Sequence, residues 1–199
     1  VETCRAGNLS YLIIDNFFTE DELQEVKKEV LALKRFEVSP EKTSTALDKK
    51  GGSPIKSGTG VFLDEIYSGI REKSNILEAH NKIYSSEIVD FAKEFDIVFT
   101  WLDHSNFDNT LVNYYLEGQE YKPHRDGCRI STVTFLRFGE FTGGDFIFPE
   151  QGVKIECVEN RTIVFPSVAV HSALPIHGAG TRASIARFID YSDAREQHL

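Results

Sequence analysis

Apolar positions change rhythm once along this chain, at Thr110. Upstream, YLIIDNFF is rich in strand formers and predicts a buried opening strand. Thr19 and Glu22 then form a capping box, with Phe18 and Leu23 as a hydrophobic staple across it. Leu23, Val26, Val30 and Leu31 follow at helical spacing, and Lys34 and Arg35 sit where the negative end of a helix dipole favours cations. Between Asn75 and Phe95, the positions of Ile76, Leu77, Ile83, Ile88, Phe91 and Phe95 suit one helix or two short ones. From Thr110 onward, short runs alternate with turn residues: TLVNYYL, ISTVTFLRF, DFIFPE, VKIEC, RTIVFP, AVHSALP and RASIARFIDY. Regular short strands punctuated by Gly, Asn and Pro predict an antiparallel sandwich or barrel, for which a double-sheet jelly roll of the cupin kind is a closed solution. The expected class is therefore α+β.

One segment breaks the pattern. SPEKTSTALDKKGGSPIKSGTG, from Ser39 to Gly60, is polar, Gly-rich and poor in apolar residues, so it reads as a long loop, either functional or a surface insertion. No repeat or second domain boundary interrupts the rest. Residues 1–109 read as a helical support with this loop as a lid, and 110–192 as the jelly-roll core of a single domain spanning 1–199.

Composition narrows the function. The formal charge of −9 argues against non-specific nucleic-acid binding, which needs clustered Lys and Arg, and against an anionic membrane surface. No run of apolar residues is long enough for a membrane span. Cys4, Cys128 and Cys157 are odd in number and lack paired ligand spacing, so they read as reduced thiols of a cytoplasmic protein. Cys128 stands two residues beyond Asp126 and reads as a loop cysteine that would feel a metal only if Asp126 held one. The chain begins at Val1 and contains no Met, which leaves room for a removed targeting segment. Asn8 and Asn160 each open a glycosylation-type triplet, a pattern common by chance.

The chemistry concentrates in four residues. His124 and Asp126 form a His-x-Asp pair in YKPHRDG, His171 lies in FPSVAVHSALP, and Arg182 follows eleven residues later in GTRASIARF. Residues two apart on a strand share a face, so His124 and Asp126 can aim at one point, and His171 can arrive from a later strand on the facing sheet. Two neutral imidazoles and one carboxylate suit non-haem Fe(II) and leave positions open for a chelating co-substrate and O2. The same period places Arg182, Ser184, Ala186 and Phe188 on one face. If that face is the interior, Arg182 and Ser184 can share a carboxylate, and a buried guanidinium needs such an anion. The 2-oxoglutarate C5 carboxylate would supply it. His80, His104, His177 and His198 read as outside the site. Gly143 and Gly144 suit a bulge, a close backbone approach or a simple turn.

With these residues in place, the chain resembles the prolyl 4-hydroxylase-like branch of the 2-oxoglutarate/Fe(II)-dependent dioxygenases over nearly its full length. YYLEGQEYKPHRD, FTGGDFIFPE, HSALPIHGAGTRASIARF, KSGTGVFLDE and YLIIDNFFTEDELQEV are each similar to a segment of that branch. The resemblance implies a double-stranded β-helix core with N-terminal helices packed on one sheet. It implies oxidative decarboxylation of 2-oxoglutarate to succinate and CO2 coupled to hydroxylation of a C–H bond, with ascorbate as a supporting reductant. His124, Asp126 and His171 match the iron ligands and Arg182 the partner of the C5 carboxylate. Tyr115 matches a strand tyrosine that contacts the co-substrate or lines the pocket, and Tyr121 and Lys56 are candidates for the substrate pocket. There are departures. Lys56 stands where many members carry arginine, Arg182 where collagen-type members commonly carry lysine, and Phe135 where some carry tyrosine.

The expected substrate is a peptidyl side chain, proline in a peptide or protein. A free amino acid or other small metabolite is the rival within enzymes, and a non-catalytic jelly-roll binding module is the rival outside them. A nucleic-acid demethylase is disfavoured by the charge, and hydrolysis on Zn2+ would leave Arg182 without a role.

Overall fold

The computed structural model describes residues 1–43 and 54–192. The chain opens with β1 (Glu2–Ala6) and β2 (Leu9–Ile14), an antiparallel pair. Only β2 was legible from its apolar run, because the polar ETCRA of β1 lies at the sheet edge with a partner on one side. α1 (Glu20–Leu33) starts at the predicted capping box: the Thr19 hydroxyl accepts from Glu22 N, and the Glu22 carboxylate accepts from Thr19 N. Its buried stripe is Leu23, Val26, Val30 and Leu33; Leu31, expected in that stripe, is 56% exposed and points to solvent.

Within the expected Ser39–Gly60 loop, residues 44–53 lie outside the described residues, and the lid reading falls largely on them. The described remainder is not loop throughout. Ile55 O accepts from Lys122 N, Ser57 N donates to Glu120 O, and Thr59 opens β3 (Thr59–Phe62). Short α2 (Leu63–Ile66) follows. The predicted helical stretch resolves into α3 (Asn75–His80) and α4 (Ser86–Phe95), separated by a 3₁₀ turn, and Phe91 proves half-exposed rather than core. Single-turn α5 (Trp101–His104) leads into the strands.

Those strands are β4 (Phe107–Tyr115), β5 (Tyr121–His124), β6 (Ile130–Phe138), β7 (Thr142–Gly143), β8 (Phe146–Phe148), β9 (Val153–Ile155), β10 (Thr162–Pro166), β11 (His171–Ala173), β12 (Ile176–His177) and β13 (Thr181–Asp190). The major sheet has seven strands in the order β1-β2-β10-β6-β13-β4-β3, and the minor sheet has four, β5-β11-β8-β9. All ladders within these two sheets are antiparallel. Three strands from before residue 110 thus complete the major sheet.

Period-two alternation sorts the residues of this sheet between two cores. Leu12, Val112, Tyr114, Leu136, Val164, Ala183, Ile185 and Ile189 pack with the helices on one face, and the Tyr114 hydroxyl donates to Val30 O on α1. Tyr11, Val133, Phe135, Ile163, Phe165 and Ala186 face the other way and pack with Phe146, Phe148 and Ile155 of the minor sheet. The second core is the jelly-roll interior. Its supply of phenylalanine, without methionine, gives rigid rings that edge against one another: Phe148–Phe165 centroids are 5.2 Å apart and Phe146–Phe148 5.1 Å. This is the expected α+β double-stranded β-helix, with helices on one face of the major sheet.

Candidate active site

At one end of the interior, His124, Asp126 and His171 converge, with one ligand atom from each lying within 4.8 Å of the others. His124 and His171 are register partners on β5 and β11. They therefore come from neighbouring strands of one sheet, not from facing sheets as the sequence suggested. Asp126 lies past the end of β5, so a turn rather than strand periodicity aims its carboxylate. That turn is held by Asp126 N donating to Ser167 O.

The two imidazoles are prepared as metal ligands. His124 Nδ1 lies 2.8 Å from Lys122 O and His171 Nδ1 3.0 Å from Ala169 O. A carbonyl only accepts, so both Nδ1 atoms carry the proton and both Nε2 lone pairs are left available. Burial lowers the pKa of each ring to about 4, with His171 adding to the effect at His124, so both are neutral at pH 7. Burial pushes the Asp126 carboxyl up, against the pull of His124 and the Ser131 hydroxyl. Its Oδ1 lies 3.6 Å from His124 Nε2 and its Oδ2 3.5 Å from His171 Nε2. Two neutral nitrogens and one desolvated carboxylate oxygen form a donor set that a divalent cation would complete. Tyr121 stacks on His124 with centroids 3.5 Å apart, and Phe146 and Phe165 flank His171 at 5.4 and 4.8 Å.

The pocket in front of these ligands is lined by β13 and β4, as the alternation predicts. Arg182, Ser184, Ala186 and Phe188 face it from β13, opposite Tyr115, Asn113 and Leu111 from β4. Arg182 is 1% exposed, and its guanidinium lies over the rings of Tyr115 at 5.0 Å and Phe135 at 5.3 Å. Its Nε and Nη1 are buried and have no hydrogen-bond partner among the described residues. A buried cation with orphaned donors is costly unless an anion meets it. Gly144 leaves room for the side chain: at φ +76°, a Cβ there would lie 3.1 Å from Arg182 Cδ and 2.7 Å from Ile176 Cγ2. The glycine pair thus serves close approach. Burial pushes the Tyr115 hydroxyl up to about 12, so it remains a neutral donor.

Lys56 is 2% exposed, although it falls in the segment that reads as a polar loop, and it does not line this pocket. It pairs by its backbone with Tyr121 and donates from Nζ to Asn113 Oδ1, while burial lowers its pKa to about 7. It therefore stands behind Asn113, which contacts Ser184 Oγ at 3.5 Å. Asn113 was missed from sequence, although its period-two relation to Tyr115 carried the signal. Phe146 was missed too. Of the discounted histidines, His80 is a core residue paired with Thr134 Oγ1 at 3.1 Å. His198 lies outside the described residues. Asn160 is structural rather than a glycan acceptor, since its buried side chain accepts from Phe18 N and donates to Phe18 O.

Residues 110–190 match the family described as the 2OG-Fe(II) oxygenase superfamily. A sequence comparison with curated proteins finds no match. In fold, the chain is similar to a prolyl 4-hydroxylase from Pseudomonas putida, at TM-score 0.60 and 16% identity over 94% of this chain and 95% of that one. It is also similar to a prolyl hydroxylase from Trichoplax adhaerens solved with a hypoxia-inducible-factor peptide fragment (TM-score 0.63, 18% identity, 90% and 83% covered). A third is the viral collagen prolyl hydroxylase of Paramecium bursaria Chlorella virus-1 in its 2-oxoglutarate complex (0.56, 15%, 92% and 96%). The family match covers the strand-rich part of the chain that carries His124, Asp126, His171 and Arg182. Its fold is similar to that of these three prolyl hydroxylases.

Proposed function

We propose that the protein hydroxylates a C–H bond of a peptidyl side chain, with proline the preferred residue. One O2 and one 2-oxoglutarate would be consumed per turnover: one oxygen atom enters the substrate C–H bond, and the other enters succinate as CO2 leaves. The observation that carries this reading is the orphaned, buried edge of Arg182 in the same pocket as the His–Asp–His set.

His124, Asp126 and His171 would hold Fe(II), which when bound supplies the coupling of O2 reduction to oxidation of both co-substrate and substrate. Arg182 would bind the C5 carboxylate through its fork, with Ser184 Oγ beside it. Tyr115 and Phe135 wall the guanidinium against water, which strengthens the ion pair. Tyr121 fixes the His124 ring plane, and Lys56 fixes Asn113 at the pocket wall. The peptide assignment is supported by the neighbouring folds: all three are prolyl hydroxylases, and one is solved with a peptide bound.

The test incubates the protein with Fe(II), ascorbate and 2-oxoglutarate, together with proline-containing peptides or free amino acids. Mass spectrometry follows insertion of one oxygen atom, and a parallel assay measures succinate. Oxygen inserted into peptide but not free proline is expected. Oxygen inserted only into free amino acids would assign a metabolite hydroxylase. No oxygen insertion and no succinate with any substrate would leave a binding module.

A further inference from the structure

Behind the metal site runs a chain of three hydroxyl and thiol groups that the reaction as described does not use. Ser131 Oγ lies 2.6 Å from Asp126 Oδ2, Ser167 Oγ lies 2.8 Å from Ser131 Oγ, and Cys128 Sγ lies 2.9 Å from Ser167 Oγ. Ser131 and Ser167 are 1% and 0% exposed, so water does not compete for these bonds.

One proton direction is fixed: an ionised carboxylate accepts and cannot donate, so Ser131 commits its single proton to Asp126. Ser131 Oγ is left as an acceptor toward Ser167 Oγ at 2.8 Å and Cys128 Sγ at 3.5 Å. Cys128 Sγ donates to Ile130 O at 3.4 Å and contacts Ser167 Oγ, which ties the serine pair to the backbone of β6.

The backbone holds the chain in place. Asp126 N donates to Ser167 O, and Ser167 N donates to Arg129 O, so Ser167 is pinned on both sides. Ser131 faces the interior from β6, and Ser167 follows β10 on the turn that leads to His171. The turn after Asp126, β6 and the turn after β10 thus meet in this network, and Ser131 carries it to the Asp126 carboxylate. Both carboxylate oxygens face a histidine, Oδ1 toward His124 Nε2 and Oδ2 toward His171 Nε2, but among the described residues only Oδ2 also accepts from a hydroxyl.

We propose that Cys128, Ser167 and Ser131 are positioning residues for the metal. They fix the Asp126 carboxylate by occupying a lone pair of its Oδ2, while Oδ1 keeps both of its own. A carboxylate restricted in this way takes one coordination position rather than two, which preserves the places that a bidentate co-substrate and O2 need. The inference rests on the metal-site reading above.

Co(II) titration followed by its ligand-field absorption tests it without turnover. Ser131→Ala should raise the Co(II) dissociation constant by about 10–100-fold and shift the absorption bands, whereas Ser131→Thr, which keeps the hydroxyl, should come within about threefold of wild type. At the far end of the chain, Cys128→Ala should give a smaller loss in the same direction, and Cys128→Ser should restore it. Circular dichroism checks that each variant is folded. Should Ser131→Ala not fold, the Cys128 pair decides: wild-type Co(II) affinity and spectrum in Cys128→Ala would overturn the proposal. The same result in a folded Ser131→Ala would overturn it outright. A wild-type protein that binds Co(II) and 2-oxoglutarate alongside indifferent variants would sink only this inference. A wild-type protein that binds neither would sink the functional reading with it.

Discussion

His124 and His171 face each other as direct register partners on β5 and β11, with ring centroids 4.2 Å apart. The ladder itself therefore sets their spacing. A one-residue slip would turn one ring to the opposite face of the sheet.

Because three side chains share one point, each substitution His124→Ala, Asp126→Ala or His171→Ala should weaken metal binding and turnover by more than about a hundredfold, beyond the range typical of outer partners. The fold should survive, since these groups line a pocket. Circular dichroism alongside Fe(II) titration checks both statements. Wild-type Fe(II) affinity in any one of the three would remove that residue from the site.

Much of this arrangement was legible in the sequence, for identifiable reasons. Strand periodicity put Arg182 and Ser184 on one face, and the register of β13 with β4 bears that out. The capping box was local chemistry and appears as read. What escaped was set by contacts distant in sequence. Leu31 keeps helical spacing yet points outward, because α1 buries the Val26–Val30–Leu33 side instead. Pairing of β5 with β11 cannot be read from either strand alone, so His171 was assigned to the wrong sheet. Lys56 falls in a segment that reads as a polar loop, and pairing of that segment with Tyr121, distant in sequence, accompanies its burial. Ser131 carries no local signal, since its partners lie across one turn and on a second turn distant in sequence.

Gly58 ties that segment to the pocket wall. A Cβ there would lie 2.5 Å from Tyr114 O and 2.7 Å from the Tyr115 ring. Gly58→Ala should destabilise the protein by about 1–3 kcal/mol, the usual cost of overpacking, and should weaken 2-oxoglutarate binding by displacing Tyr115. Thermal melts and co-substrate titration read the two effects. An unchanged melting temperature would show that the segment moves aside at no cost.

Acid should destabilise the metal-free protein well above the ordinary carboxylate range. Burial lowers the pKa of His80 to about 3 and of His124 and His171 to about 4. Their unfolded values lie near 6.5, so in this window the unfolded chain binds more protons than the folded one. The stability these neutral rings contribute is full above about pH 6.5 and declines as pH falls toward 4, by up to about 1.4 kcal/mol per pH unit for each ring. Asp126, whose carboxyl is pushed up, acts with the opposite sign and offsets part of this. Urea unfolding across the window measures the slope. His80→Gln should flatten it by the share of one ring, and an equal slope in that variant would mean that His80 does not titrate as its burial requires.

The guanidinium of Arg182 supplies the sharpest separation between co-substrate and metal. It lies over the rings of Tyr115 and Phe135, with two donors that lack a partner among the described residues. Arg182→Ala should therefore leave Fe(II) affinity within about twofold of wild type, because no metal ligand is lost. It should weaken 2-oxoglutarate binding by about 2–5 kcal/mol, because the C5 carboxylate would be buried without a counter-ion. Arg182→Lys should fall between, since lysine keeps the charge and loses the planar fork. In the absence of co-substrate the alanine variant should be no less stable than wild type, because truncation removes a buried cation whose Nε and Nη1 lack partners. Calorimetric titration of 2-oxoglutarate into the metal-loaded variants, with thermal melts of the metal-free proteins, separates these effects. An unchanged 2-oxoglutarate dissociation constant in Arg182→Ala would move the carboxylate site elsewhere, with Lys56 the nearest buried cation to examine.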